Sequence, residues 1–360
     1  MITKPTFLVD EKKCRANIQK IADKAKRNNV EFRAHFKTHQ SLAIGRWFKD
    51  AGVNKITVSS LDMANYFAPE WNDITVAFPV NFLEIDTIND LASKIQLNVV
   101  IVNLEAVDFL IKNLTHSIGF FIKIDVGYKR TGVQPDNFEL IDAILAKTIA
   151  SDKLNFLGFL GHAGHSYKSS SYEEIEATHK ESISIILPFK EKYKADYPNL
   201  IISVGDTPTC SVVEDFSMVD EIRPGNFVFY DIQQASIGSN TNEEIAIAMA
   251  CPVVAIHEDK NEMIMHGGGV HFAKDAFVDP ILGTIYGRIV KQTTDGWGEI
   301  IDGIYVKSLS QEHGIISVSD EIISNYKVGD VLYILPVHSC LTANCFKTYQ
   351  LTSGEVIERF

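Results

Sequence analysis

Near the C-terminal end of the chain, PVHSCLTANC (336–345) sets His338 and Cys340 one residue apart, with Cys345 five positions further on. Imidazole and thiolate are zinc-type donors. A closed structural zinc site needs four ligands, whereas a catalytic one keeps a position open. Taken alone the pair is a weak signal, and Cys345 reads as a third ligand, a disulfide partner or a plain thiol. The second reactive residue type is Lys37, which closes the run EFRAHFK (31–37). Burial disfavours the ammonium form, so a lysine at the end of an apolar strand becomes a nucleophile able to form Schiff bases. A snorkelling or salt-bridged structural lysine is the competing reading.

These residues need elements to hold them. From residue 31 to about 231, short apolar runs alternate with helical patterns. The predicted strands are 31–37, 55–60, 73–78, 97–102, 118–125, 154–161, 200–205 and 221–230. Amphipathic stretches lie between most of them; SLAIGRWFKDAG (41–52) ends on Gly52, as helices often do. About eight strands with helix-length connections predict an α/β fold, a parallel (β/α)8 barrel of the TIM type. After residue 240 the helical segments disappear and turn-separated β runs remain, which predicts a C-terminal antiparallel β domain. The small, polar ASIGSNTN (235–242) reads as the linker. The expected domains are therefore 1–238 and 239–360, with the first few residues free to join the β domain.

The barrel places a demand on the site, because catalytic groups belong at the C-terminal ends of its strands. Lys37 ends the first strand, and Arg130 follows the fifth in IDVGYKRTGV. His162, His165 and Tyr167 follow the sixth, Gly205 and Thr207 the seventh, and Arg223, Gly225 and Asn226 sit in the eighth. Taken singly, Arg130 is an ordinary surface arginine, and the histidines read as well for satisfied core or loop residues. The turns VGDTPT and RPGN are also ordinary turn chemistry. On adjacent barrel strands, however, they sit where such barrels bind phosphate. A Schiff-base lysine and a phosphate cradle in one mouth suggest pyridoxal 5′-phosphate.

Composition sets outer limits. A formal charge of −12, with acids and bases interspersed, argues against a nucleic-acid binder. The N-terminus MITKPTFLVDEKK has no signal-like apolar region, and apolar runs such as SIGFFIKI are strand-sized, so no membrane role is expected. Five scattered cysteines fit a cytoplasmic protein with free thiols better than a disulfide scaffold.

Read together, RAHFKTH (33–39), DVGYKRTGV (125–133), GHAGHSY (161–167), ISVGDTPT (202–209), EIRPGNFVFYD (221–231), SQEHG (310–314) and PVHSCLTA (336–343) resemble one group along essentially the whole chain. That group is the D-serine dehydratase and D-threonine aldolase family of fold-type III, alanine-racemase-like pyridoxal-phosphate enzymes. The resemblance implies that Lys37 carries the cofactor and that Arg130 lies beside its ring. It implies Tyr167 at the pyridine nitrogen, and Gly205, Thr207, Gly225 and Asn226 around the phosphate. It makes His338 and Cys340 the metal pair, since His-x-Cys marks the dehydratases where the aldolases typically have Asp. Gln311, Glu312 and His313 would sit near the substrate, with Gln311 and His313 as catalytic candidates, and the chain would form a homodimer. There are two departures: Ala34 stands where proline is frequent, and His266 stands where an acidic residue is common.

The expected reaction is loss of water and ammonia from a β-hydroxy D-amino acid such as D-serine or D-threonine, leaving a 2-oxo acid. Hydroxide leaves poorly, so a zinc ion on His338 and Cys340 would act at the β-oxygen as a Lewis acid. The alternative is retro-aldol cleavage of D-threonine or 3-hydroxy-D-aspartate, with manganese or magnesium in place of zinc. A racemase would have no use for the metal, and a non-catalytic cofactor carrier would have little use for the β domain.

Overall fold

The computed structural model describes residues 2–149 and 151–360. The chain divides into two compact units, Gln19–Gly225 and Met1–Ile18 with Asn226–Phe360. The first strand, β1 (Thr6–Val9), belongs to the second unit. The other unit carries β2 (Glu31–Phe32), β3 (Lys55–Val58), β4 (Asp73–Pro79), β5 (Gln96–Ile101), β6 (Ile118–Lys123), β7 (Leu154–Leu160), β8 (Ile201–Val204) and β9 (Glu221–Ile222). They pair in parallel in the order β2-β9-β8-β7-β6-β5-β4-β3. A His35–Thr57 bridge closes the barrel, with Phe36 N donating to Thr57 O and Thr57 N to Ala34 O, both at 2.9 Å. The expected eight-stranded barrel is thus present.

Its strands read as unbroken apolar runs because both faces are covered; all six residues of β6 are buried. In the first connecting helix, Leu42–Asp50, Ile44, Trp47 and Phe48 form the buried stripe, and Gly52 ends it at φ +87°. Two strands are much shorter than predicted. After Phe32 the chain bonds on one side to β9 (Arg33 N to Ile222 O, 3.0 Å) and then on the other to β3. It therefore seams the barrel and turns at Phe36–His39 instead of continuing to residue 37 as a strand. The eighth strand stops at Ile222 because Pro224 has no N–H to give a ladder.

Inside the barrel lies a polar layer. The Arg33 side chain, 3% exposed, reaches Glu221 Oε2 through Nε at 2.7 Å and Asp73 Oδ1 at 2.6 Å. Ser203 Oγ donates to Glu221 Oε1 at 2.6 Å, and Asn98 Nδ2 to Asp73 Oδ1 at 2.8 Å. Buried charges are tolerable only when paired in this way.

The other unit adds β10 (Ile247–His257), β11 (Glu262–His266), β12 (Phe277–Asp279), β13 (Gly283–Ile285), β14 (Gly287–Thr293), β15 (Gly296–Leu309), β16 (His313–Val318), β17 (Val331–Pro336), β18 (Thr348–Leu351) and β19 (Val356–Glu358). The main sheet runs β11-β16-β15-β14-β17-β10-β1-β18-β19, and β10 also pairs with β11, so six of its strands close on themselves. All these pairs are antiparallel except β1–β18, and β12–β13 form a separate ribbon. β1 enters through Thr6–Val9 against Ile247–Ala250, as the expected sharing of the first residues requires. The passage between units falls at Gly225–Asn226, earlier than the expected 238. Residues beyond it are tied to the β unit: Ala246 N donates to Phe229 O at 2.8 Å, and Ser339 N to Asp231 Oδ2 at 2.9 Å. The small polar stretch 235–242 runs from the end of the short helix Ile232–Ser236 to the turn Asn242–Glu244 of that unit, with Ile237 and Ser239 buried.

Replacing Arg33 by methionine leaves Glu221 buried without its guanidinium. The expected cost is about 3–5 kcal/mol in urea unfolding; a loss below about 1 kcal/mol, the size of an exposed pair, would contradict the role of this layer.

Candidate active site

Lys37 lies in the turn after the His35 bridge, with its N–H facing His35 Nδ1 at 3.3 Å and its carbonyl accepting from Gln40 Nε2 at 2.8 Å. The structure corrects one expectation here. Lys37 is exposed in this chain, because the turn lifts it off the strand, while Phe36 and Thr38 on either side are buried. Its surroundings are nonetheless specific. Burial, and then the charges of Lys37 and Arg223, hold His35 well below the ordinary imidazole range. Burial likewise takes His162 down to about 3, with Arg223, Arg130 and Lys37 adding to the effect. His162 Nδ1 donates to Gly205 O at 2.6 Å, so the neutral ring keeps Nε2 as an acceptor.

The strand-end loops are pinned by their own acids. Asp125 Oδ1 accepts from Gly127 N at 3.1 Å and Lys129 N at 2.9 Å, which shapes the loop that carries Arg130 over the Tyr128 ring at 4.8 Å. Asp206 caps the helix Thr207–Val212 through Thr209 N and Thr209 Oγ1 at 2.9 and 2.8 Å, and accepts from Ser166 Oγ at 2.7 Å. The first amide of that helix, Thr207 N, donates to Tyr167 Oη at 3.2 Å. Tyr167 is therefore at the candidate phosphate turn. Gly205 and Gly225 have a packing reason of their own: a Cβ would lie 2.6 Å from Arg223 N in one case and 2.7 Å from His35 O in the other.

In the β unit, His338 precedes the helix Ser339–Asn344, and its Nδ1 lies 3.3 Å from Asp275 Oδ1. Asp231 Oδ2 accepts from Ser339 N at 2.9 Å, Ser339 Oγ at 3.1 Å and Asn226 Nδ2 at 2.8 Å, and Asn226 Nδ2 also lies 3.5 Å from Cys340 Sγ. Asn226 thus spends its side-chain amide holding the His338–Cys340 turn. Burial alone would lower the His338 pKa; hydrogen bonds to Asp275 and Cys340 outweigh it and raise the ring to about 11. A proton shared by an imidazole, a carboxylate and a sulfur marks a donor set that a divalent ion would take over by displacing it. Cys345 is exposed and points its Sγ at Leu341 O, 3.4 Å away. All five cysteines are free thiols. Gln311, Glu312 and His313 lie at the turn from β15 into β16, all exposed.

Sequence reasoning missed three participants. Lys123 ends β6 with only 5% exposure, and burial, then Arg130 and Arg223, lower it to about 8. The signal was a lysine inside the apolar run IGFFIKID. Asp231 and Asp275 carried no signal, because their partners are 108 and 63 residues away in sequence.

The donor set of the barrel unit fits pyridoxal phosphate: an accessible amine, two guanidiniums, an imidazole held neutral, and an amide and hydroxyl at Thr207. Comparison with known proteins agrees with this chemistry. Residues 9–232 match the alanine racemase N-terminal domain, and residues 246–352 match the putative serine dehydratase domain. The chain is 29% identical to a D-serine dehydratase of Dictyostelium discoideum, over 98% of this chain and 93% of that one. It is 27% identical to the D-threo-3-hydroxyaspartate dehydratase of Delftia sp. (strain HT23), over 98% and 94%. The solved structure of the Delftia enzyme superposes with a TM-score of 0.92 at 26% identity, over 100% of this chain and 98% of that one. A D-threonine aldolase from Filomicrobium marinum shares the fold, with a TM-score of 0.84 at 19% identity over 99% and 94%. The chain therefore belongs to the family defined by the alanine racemase N-terminal domain, in the form in which a serine-dehydratase-type β domain follows the barrel.

Proposed function

We propose that the chain is a pyridoxal-phosphate-dependent lyase that eliminates water from a β-hydroxy D-amino acid, giving a 2-oxo acid and ammonia. The observation that carries this reading is the His338–Cys340 pair, held on one short turn by Asp275, Asp231 and Asn226. A racemase never has to expel hydroxide and would have no use for such a pair. Pyridoxal phosphate, when bound, supplies the electron sink that makes the α-proton of the substrate acidic. Lys37 would be its attachment point and would serve as the base for that proton. Gly205, Thr207, Gly225 and the backbone of Asn226 would face its phosphate. Arg130 and Tyr167 would face the ring and its neighbourhood. Gln311 and His313 are read as substrate-contacting residues.

His338 and Cys340 would hold a divalent ion that polarises the β-hydroxyl as it leaves. Thiolate with imidazole favours zinc over manganese or magnesium. His162 cannot supply a proton near neutral pH, because burial and its cationic neighbours keep it unprotonated down to about 3. Acid assistance at the β-oxygen would then fall to the ion and its water. The free thiols accord with a cytoplasmic enzyme, and family resemblance with a homodimer. Among the described residues no helix is long and apolar enough to cross a membrane.

A panel of D-serine, D-threonine and D-threo-3-hydroxyaspartate, assayed for 2-oxo acid with ammonia against aldehyde with glycine, tests the reaction. Keto acid and ammonia are expected; aldehyde and glycine would identify an aldolase, and racemised substrate alone a racemase. Chelation is expected to abolish turnover while the protein keeps its yellow colour. Asp275→Asn and Asp231→Asn should each weaken metal affinity about 10–100-fold, measured by zinc competition. Unchanged affinity in both would contradict the metal assignment.

A further inference from the structure

The segment from His266 to Asp275 carries two histidines that the proposed elimination does not use, one of them the residue that departs from the family's acidic pattern. β11 ends at His266, in register with His313 on β16. Beyond it the backbones stay zipped: Gly267 N donates to Glu312 O at 2.9 Å, Gly269 N to Ser310 O at 2.7 Å, and Val270 N to Gln311 O at 3.2 Å. The approach is so close that a Cβ on Gly268 would lie 2.4 Å from Gln311 O. This turn brings Nε2 of His266 and Nε2 of His271 each within 3.8 Å of Glu312 Oε2. One donor atom from each of the three lies within 4.8 Å of the other two, and the two rings meet edge to face at 5.6 Å. Among the described residues, these two imidazoles are the ion-pair partners of Glu312.

We propose that His266, His271 and Glu312 form a second divalent-cation site, separate from His338 and Cys340 and built without sulfur. Zinc-type bonds of 2.0–2.2 Å in a tetrahedral shell set ligand atoms about 3.4 Å apart. Each histidine must close on Glu312 by a few tenths of an ångström and the two imidazole nitrogens on each other by up to about 1.4 Å, and the half-exposed His266 and Glu312 side chains have room to do so. The remaining positions go to water. Coordination through Nε2 puts the proton of His271 on Nδ1, so its 3.3 Å contact from Gly268 N must be given up by a turn of the ring. An ion here would clamp the 266–272 turn to the β15–β16 turn. It would also steady the segment that ends in Asp275, the partner of His338. The site does not depend on the lyase reading, because it is counted in ions per chain and not in turnover.

The test is cobalt or zinc alone, titrated into the metal-stripped, cofactor-loaded enzyme, with bound ions counted after equilibrium dialysis. Wild type is expected to hold two ions per chain, and His271→Ala and Glu312→Gln one each. Cys340→Ala should also hold one, losing the sulfur-to-cobalt charge-transfer band but keeping the ligand-field bands. His271→Ala should keep the charge-transfer band, and circular dichroism confirms that each variant is folded. One ion in the wild type that vanishes in Cys340→Ala would overturn the site, as would two ions surviving in both His271→Ala and Glu312→Gln. A single ion lost in His271→Ala but kept in Cys340→Ala would support the second site while removing the proposed catalytic one.

Discussion

The barrel unit depends on a carboxylate with almost no access to water. Glu221, 1% exposed, is held from one side by Arg33 and from the other by Ser203 Oγ. The same hydroxyl accepts from Arg223 Nε at 2.7 Å, and Arg223 in turn donates to Gly161 O at 2.6 Å. Each member is satisfied by the next, which is the condition under which such a network is stable at all. Burial brings Arg223 down to about 10, so it still carries its charge near neutral pH. That charge is one of those that keep His35 and His162 neutral beside Lys37. The interior layer thus ties barrel strands together and adds to burial in keeping His35 and His162 neutral.

The β unit solves a different problem, which is to aim two donors from one short turn. His338 and Cys340 flank Ser339, whose backbone and hydroxyl are both bound by Asp231. With the middle residue fixed, the flanking side chains are left to face Asp275 and Asn226. Under the proposed function, an ion held by two protein donors would keep positions for substrate oxygen and water, which suits Lewis-acid work better than structural binding. The cluster of His266, His271 and Glu312 on the same unit differs in its donors, two imidazoles and a carboxylate without sulfur.

Much of this was legible before any coordinates. Parallel strands covered on both faces leave continuous apolar runs, so all eight barrel strands could be read. The misreadings share a cause. The first and last barrel strands are two residues long because their hydrogen bonds are shared between neighbours and interrupted by Pro224. No local pattern records that. Lys37 looked buried because its run is apolar, yet the turn at Phe36–His39 raises it to the surface. The unit boundary moved to Gly225–Asn226 because Asn226 and Asp231 bond to residues more than a hundred positions away. The donors around His338 and the glycine-zippered approach of 267–270 to 310–312 are likewise long-range pairings.

The central claim is that the exposed lysine of the barrel-mouth turn is the covalent anchor of the cofactor. It is tested most directly by reducing the pyridoxal-phosphate-loaded protein with borohydride, digesting it and locating the phosphopyridoxyl group by mass spectrometry. The group should be found on Lys37, and Lys37→Ala protein should carry none. Its recovery on the buried Lys123, or on no lysine, would contradict the account.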